Sequence, residues 1–133
     1  MANRNFVIVE DDIHFLADMV RTLKSQTTYS GEVHGINPCT EEEFPSLEKV
    51  CDEIRKLLGT NGVLLLDFDF GLWDHTGADI AKQFPNNYIL SISSSKTSFG
   101  DGRFSRKADL GSPITQEHLV SSIEHMLRNP IRR

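Results

Sequence analysis

An open, mostly parallel α/β sheet covered by helices on both faces is the fold class this sequence predicts, and three observations predict it. Runs apolar enough to be strands buried on both faces recur along the chain: FVIV (Phe6 to Val9), VLLL (Val63 to Leu66) and YILSI (Tyr88 to Ile92). Between them, apolar residues return at the three- and four-residue steps of a helix. Strand and helix therefore alternate, the order that builds a doubly wound sheet.

The elements follow in order. Behind the first strand, Ile13, Leu16, Val20 and Leu23 form one helical stripe, with Asp12 available as N-cap. EVHGI (Glu32 to Ile36) is a more polar run that suits a sheet edge. The stretch from Thr27 to Glu48 leaves that second strand loosely bounded, and Glu41, Glu42 and Glu43 read as a solvated turn or helix start. A second helix runs through Leu47, Val50, Cys51, Ile54, Leu57 and Leu58, entered past Pro45 and Ser46 and stopped near Gly59. After the VLLL strand, Ala78, Ile80, Ala81 and Phe84 make a short third helix ended by Pro85. RFSRK (Arg103 to Lys107) is a second edge candidate, and Leu119, Ile123 and Leu127 mark a last helix capped by Thr115.

At 133 residues the chain is expected to form one domain over 1–133, with one sizeable core. A net charge of −5 argues against a surface built for polyanions, so nucleic acid is not an expected partner. No run approaches a membrane span and MANRN leads straight into a strand, so the expectation is a cytoplasmic protein with no membrane partner. Cys39 and Cys51 lack metal-site spacing and read as free thiols, and His118 and His125 as surface positions.

In doubly wound sheets ligands bind outside the carboxyl ends of the strands. Glu10 and Asp11 follow the first strand, Asp67 the third, Ser93 the fourth, and Lys107 closes the fifth, so all five can converge on one pocket. Three acids in a row, Glu10, Asp11 and Asp12, repel one another and call for a compensating partner. Asp12 is accounted for as a helix cap. A hard cation held by carboxylates would accommodate the others, and would also let a carboxylate nucleophile approach an anionic phosphoryl donor.

These residues carry a resemblance. Over essentially its whole length the chain resembles a receiver domain of two-component response regulators: VIVEDD resembles the acidic pair of the first strand, LLLDFDFGLWDHTG the phosphoacceptor strand and loop, ILSIS the hydroxyl-bearing fourth strand, and FSRK the fifth strand with its lysine. The resemblance implies a flavodoxin-like five-stranded sheet of order 2-1-3-4-5. It implies a Mg²⁺ ion with Asp11 as direct ligand, Glu10 acting through water, Asp67 by its side chain and Asp69 by its backbone carbonyl. Asp67 would be the phosphoacceptor, Lys107 would pair with the phosphoryl oxygens, and Ser93 would hydrogen-bond the transferred group. Ser91 or Ser94 in the run SISSSK could take the place of Ser93. Ser93 and Phe104 match the family's switch pair, although Phe104 lacks the hydroxyl of the commoner tyrosine. Side chains at Asp69 and Ser95 border the site in relatives.

The match departs from the family between Ser93 and Lys107. SSKTSFGDG lacks the length and periodicity for an ordinary helix, so the fourth helix is expected to be absent or reduced. Ala108 stands where a proline commonly follows the lysine, and Trp73 and His75 lie in the loop after Asp69. The expectation is a stand-alone response regulator that accepts phosphate from a sensor histidine kinase or histidine phosphotransfer protein and signals by docking to a downstream protein. Two alternatives remain open: a pseudo-receiver that acts only as a docking module, and a haloacid-dehalogenase-like phosphatase with Asp67 as nucleophile and Asp69 as general acid.

Overall fold

The computed structural model describes residues 2–39, 45–71, 73–93, 104–106 and 115–128. Their elements, in chain order, are β1 (Ala2–Asn3), β2 (Phe6–Val9), α1 (Ile13–Ser25), β3 (Tyr29–Ser30), β4 (Val33–Ile36), α2 (Leu47–Leu58), β5 (Val63–Leu66), α3 (Gly77–Ala81), β6 (Tyr88–Ser93), β7 (Phe104–Arg106) and α4 (Gln116–Leu127). The main sheet has five strands in the order β4-β2-β5-β6-β7, and every neighbouring pair is parallel. Counting only those five strands, this is the expected order 2-1-3-4-5. Both polar runs lie at the edges, as β4 and β7, where half-polar strands are tolerated.

Strand pleating sorts the apolar side chains into two cores. Successive residues of a strand point to opposite faces. Val7, Val9, Leu64, Leu66 and Ile89 meet α2 and α3 on one face, through Val50, Ile54, Leu58 and Ile80. Phe6, Ile8, Val63, Leu65, Leu90 and Ile92 meet α1 and α4 on the other, through Met19, Leu23, Leu119 and Ile123. Every residue of β2 and β5 is buried, which is why these strands read as unbroken apolar runs.

The helix ends follow local chemistry. Asp12 Oδ1 accepts the backbone N–H groups of His14 and Phe15, both at 3.1 Å. Ser46 and Thr115 cap α2 and α4 by accepting from Lys49 and His118. α2 stops where Gly59 takes φ 68°, a left-handed turn that costs glycine little.

The structure corrects two expectations and adds one feature. Ile13 belongs to the periodic stripe of α1 yet is 61% exposed. With Leu16, Ala17 and Val20 it lines a groove beside Gly35 of the edge strand β4, and among the described residues no strand lies beyond β4 in the sheet to cover it. Phe84 lies past the end of α3, which stops at Ala81; it is buried all the same, with the Arg55 guanidinium 5.4 Å above its ring. The loosely bounded stretch after α1 holds a second short pairing: β3 runs parallel to β1 in the register that β4 keeps with β2. Arg4 N–H to Ser30 O and Phe6 N–H to Glu32 O carry the ladder across the gap, and Asn5 Oδ1 accepts the Glu32 N–H.

Cys39 and Cys51 are free thiols, and His118 and His125 are exposed. Among the described residues no helix is long and apolar enough to cross a membrane. The expected loss of a fourth helix concerns 94–103, and the Glu41 to Glu43 run lies in 40–44; both stretches lie outside the described residues.

Candidate functional site

The ladder brings three acids together at the carboxyl edge of the sheet. Val9 pairs with Ile36 on one side and Leu66 on the other. The pairing runs one residue further on each side: Glu10 N–H donates to Ile36 O and Asp67 N–H to Val9 O, each at 3.1 Å. Glu10 and Asp67 are thereby held at the tips of neighbouring strands. One carboxylate oxygen from each of Glu10, Asp11 and Asp67 lies within 4.8 Å of the others. Glu10 is 1% and Asp67 6% exposed, while Asp11 is half-buried at the rim.

Each buried acid is also fixed by the backbone. Glu10 Oε1 accepts the Asp12 N–H at 3.1 Å, beside the cap of α1, and Asp67 Oδ1 accepts the Phe68 N–H at 2.9 Å. These bonds orient the carboxylates. At 4.8 Å two unit charges repel by about 3.5 kcal/mol at the effective dielectric near 20 that suits protein sites. Removing the rim acid should therefore help the metal-free protein. Asp11→Ala is expected to raise stability in metal-free buffer by about 0.5 kcal/mol, read from the urea midpoint; a clear loss would mean that this carboxylate already has a stabilising partner.

The loop behind Asp67 forms a lip beside the acids. Phe68 O accepts the Gly77 N–H at 2.8 Å, which ties the start of α3 to the strand end. Asp69 is exposed, and its Oδ1 accepts the Gly71 N–H at 3.1 Å. Its carboxylate is outside the group of three. Gly71 takes φ 67°, and a Cβ there would sit 3.3 Å from Asp11 Oδ2, so the lip rests close against the rim acid.

The fourth and fifth strands bring further predicted residues to the same edge. Ser91 pairs with Leu66 and is fully buried inside the sheet, whereas Ser93 is the last residue of β6, paired with Arg106. Of the two, Ser93 is the one at the strand end. Phe104 opens β7 opposite Ser91. Lys107, Ser94, Ser95 and Ala108 lie outside the described residues.

Among the neighbours of the acids, Trp73 and His75 are marked in the sequence by their place in the loop after Asp69, whereas Asn37 and Cys39 carry no site signal there. Trp73 is a core residue, 6% exposed, its Nε1–H donating to Pro45 O at 2.8 Å and its ring edge-on to Phe70 and His75. Cys39 Sγ donates to Phe70 O at 2.9 Å. Burial, and after it the nearby Asp11, push the Cys39 thiol above its ordinary pKa, against an opposing bond from the Trp73 backbone. It stays protonated and able to donate. Asn37 Nδ2 reaches Asp11 O at 3.4 Å, and Asn37 Oδ1 accepts the Cys39 N–H at 2.9 Å. These contacts join residues far apart in the chain; the glycine at 71 marks the lip locally.

No protein-family model matches the chain. A curated relative, a beta-hexosaminidase of Vibrio vulnificus, is 32% identical over 71 residues, 53% of this chain and 8% of that protein, so the chain spans a small fraction of its length. Similarity to solved structures runs over nearly the whole chain. A LuxR-family DNA-binding response regulator from Staphylococcus aureus aligns with a TM-score of 0.64 and 16% identity, covering 92% of this chain and 98% of that one. The signal receiver domain of a modulated diguanylate cyclase from Desulfovibrio desulfuricans G20 aligns at 0.63 and 19% identity, covering 94% of each chain. A LuxR-family two-component response regulator from Aurantimonas sp. SI85-9A1 aligns at 0.65 and 12% identity, covering 98% and 89%. With its strand order and its two helical layers, the chain has the fold of a response regulator receiver domain.

Proposed function

We propose that this chain is a phosphoacceptor signalling domain in which Asp67 takes a phosphoryl group in a Mg²⁺-dependent relay. The observation that carries this reading is the convergence of Glu10, Asp11 and Asp67 within 4.8 Å at the carboxyl edge of a receiver fold. Their chemistry fits the ion: three hard carboxylate donors, two of them buried and backbone-oriented, with the third at an accessible rim. Asp11 and Asp67 would bind by their side chains, Glu10 through water and Asp69 by its backbone carbonyl. Bound there, Mg²⁺ would neutralise phosphoryl charge.

The remaining steps belong to the chain itself. An Asp67 oxygen attacks phosphorus as the phosphohistidine P–N bond breaks; the acyl phosphate P–O bond forms and the imidazole leaves with a proton from solvent. Ser93 at the end of β6 supplies a hydroxyl to the transferred group, and Lys107 a compact cation to its oxygens. Ser93 and Phe104 then form the switch, with Phe104 acting by packing alone. The donor is a sensor histidine kinase or a histidine phosphotransfer protein, the output a docking event with a downstream protein, and the setting the cytoplasm. The phosphatase alternative is weakened by Asp69, whose carboxylate is turned onto Gly71 N–H and away from the group of three.

The test is direct. Incubated with Mg²⁺ and acetyl phosphate, the wild type should gain the mass of one phosphoryl group, stable in acid, labile in base and absent when EDTA replaces Mg²⁺. No gain would favour the docking module. Bulk turnover of donor that needs Asp69 would favour the phosphatase.

A further inference from the structure

Asp11 and Asp67 sit on separate loops, one after β2 and one after β5, and bringing like charges this close favours any contact that ties the loops together. A third connection, from β4 to α2, touches both. Asn37 reaches the carbonyl of Asp11, Cys39 donates its thiol proton to the carbonyl of Phe70, and Pro45 receives the indole N–H of Trp73. Asn37 and Cys39 are themselves tied by the Cys39 N–H to Asn37 Oδ1 bond, so the first two tethers act as one unit.

The Phe70 carbonyl is the sensitive point. It belongs to the peptide that carries the Gly71 N–H, and that N–H holds the Asp69 carboxylate out of the acid group. Fixing that plane fixes the approach of Gly71 to Asp11 and the N–H that receives the Asp69 carboxylate. We propose that Cys39 and Trp73 are positioning residues for the cation pocket: through Phe70 and Pro45 they brace the Asp69–Gly71 lip against Asp11, so that the oxygen cage is already formed when a divalent cation arrives. The inference rests on the reading that Glu10, Asp11 and Asp67 take up Mg²⁺. A cage set in advance binds without the cost of ordering a loop, and residues supporting metal ligands typically change affinity ~10-fold or more when removed.

Calorimetric titration of MgCl2 into the metal-free full chain tests it, with Cys39→Ala, Cys39→Ser and Trp73→Phe beside the wild type. Cys39→Ala removes the donor to Phe70 O and is expected to weaken Mg²⁺ binding ~10-fold. Cys39→Ser restores a hydroxyl donor and should return affinity to within ~3-fold of wild type, although a serine hydroxyl suits the neighbouring apolar core less well than a methyl. A role in packing alone would order the two variants the other way. Trp73→Phe keeps an aromatic ring but loses the N–H, and should weaken binding to a similar degree; as an independent variant it decides the matter if Cys39→Ala does not fold. Wild-type binding accompanied by unchanged affinity in Cys39→Ala and Trp73→Phe, or by Cys39→Ser no better than Cys39→Ala, overturns this inference alone. A wild type that takes up no Mg²⁺ overturns the cation reading and this inference together.

Discussion

Asp67→Asn is expected to fold as the wild type does and to gain no phosphoryl group under conditions that load the wild type fully. The exchange is isosteric. The amide oxygen can still accept the Phe68 N–H that now meets Oδ1, so the strand end keeps its bond. What disappears is the nucleophile, because a neutral amide oxygen does not form a stable acyl phosphate. One of three mutually repelling charges disappears with it. In metal-free buffer the variant should stay within about 1 kcal/mol of wild-type stability, because the side-chain shape and the bond from Phe68 N–H are both retained. Intact-mass spectrometry reads the first effect and a urea titration the second. Full phosphoryl gain in the variant would remove Asp67 from the acceptor role, and a large fall in stability would mean that the charge, rather than the shape, of Asp67 holds the strand end.

Leu64→Ala is expected to cost about 3–5 kcal/mol, the upper part of the range for a fully buried leucine. Leu64 is 0% exposed in the central strand β5, within the core of Val7, Ile54, Ile80 and Ile89, where strands on both sides restrict relaxation into the cavity. Against a typical stability of ~5–15 kcal/mol for a domain, that loss would leave a marginal fold. Ile13→Ser serves as the control. At 61% exposure Ile13 should shift the midpoint by no more than about 0.5 kcal/mol, even though both residues read as core positions in the sequence. Equal losses in the two variants would show that Ile13 is covered in solution.

The contrast between Leu64 and Ile13 shows what a pattern of residues can convey. Phe6 to Val9 and Val63 to Leu66 are continuous apolar runs because both faces of a central parallel strand are covered, and that cause leaves a mark at every position. Asp12, Ser46 and Thr115 announce their helices because a capping bond is local. Ile13 fits the helical period equally well, but its burial depends on whether a strand lies beyond β4, which no window around residue 13 contains. β1 and β3 escaped notice for a related reason: two residues each, joined by backbone bonds, they have no side-chain alternation to display.

The site divides along the same line. Glu10, Asp11 and Asp67 were legible because the carboxyl ends of parallel strands meet by topology, and the acids stand directly after two such strands. The bracing by Cys39 and Trp73 was not, since each bond joins a side chain to a backbone carbonyl on a distant loop. Asp69 lies between these cases. Its proximity to Asp67 in sequence suggested a shared site, while the turn at Gly71 sends its carboxylate outward.

The central claim is that one carboxylate, at residue 67, becomes esterified to phosphorus. Borohydride reduction tests it most directly, because hydride converts an acyl phosphate of aspartate to homoserine with release of phosphate and leaves free carboxylates untouched. After Mg²⁺ and acetyl phosphate treatment, peptide sequencing by mass spectrometry should find homoserine in place of Asp67 and at no other aspartate. Homoserine at position 11 or 69, or intact aspartate at 67 in protein that has demonstrably gained phosphate, would contradict the account.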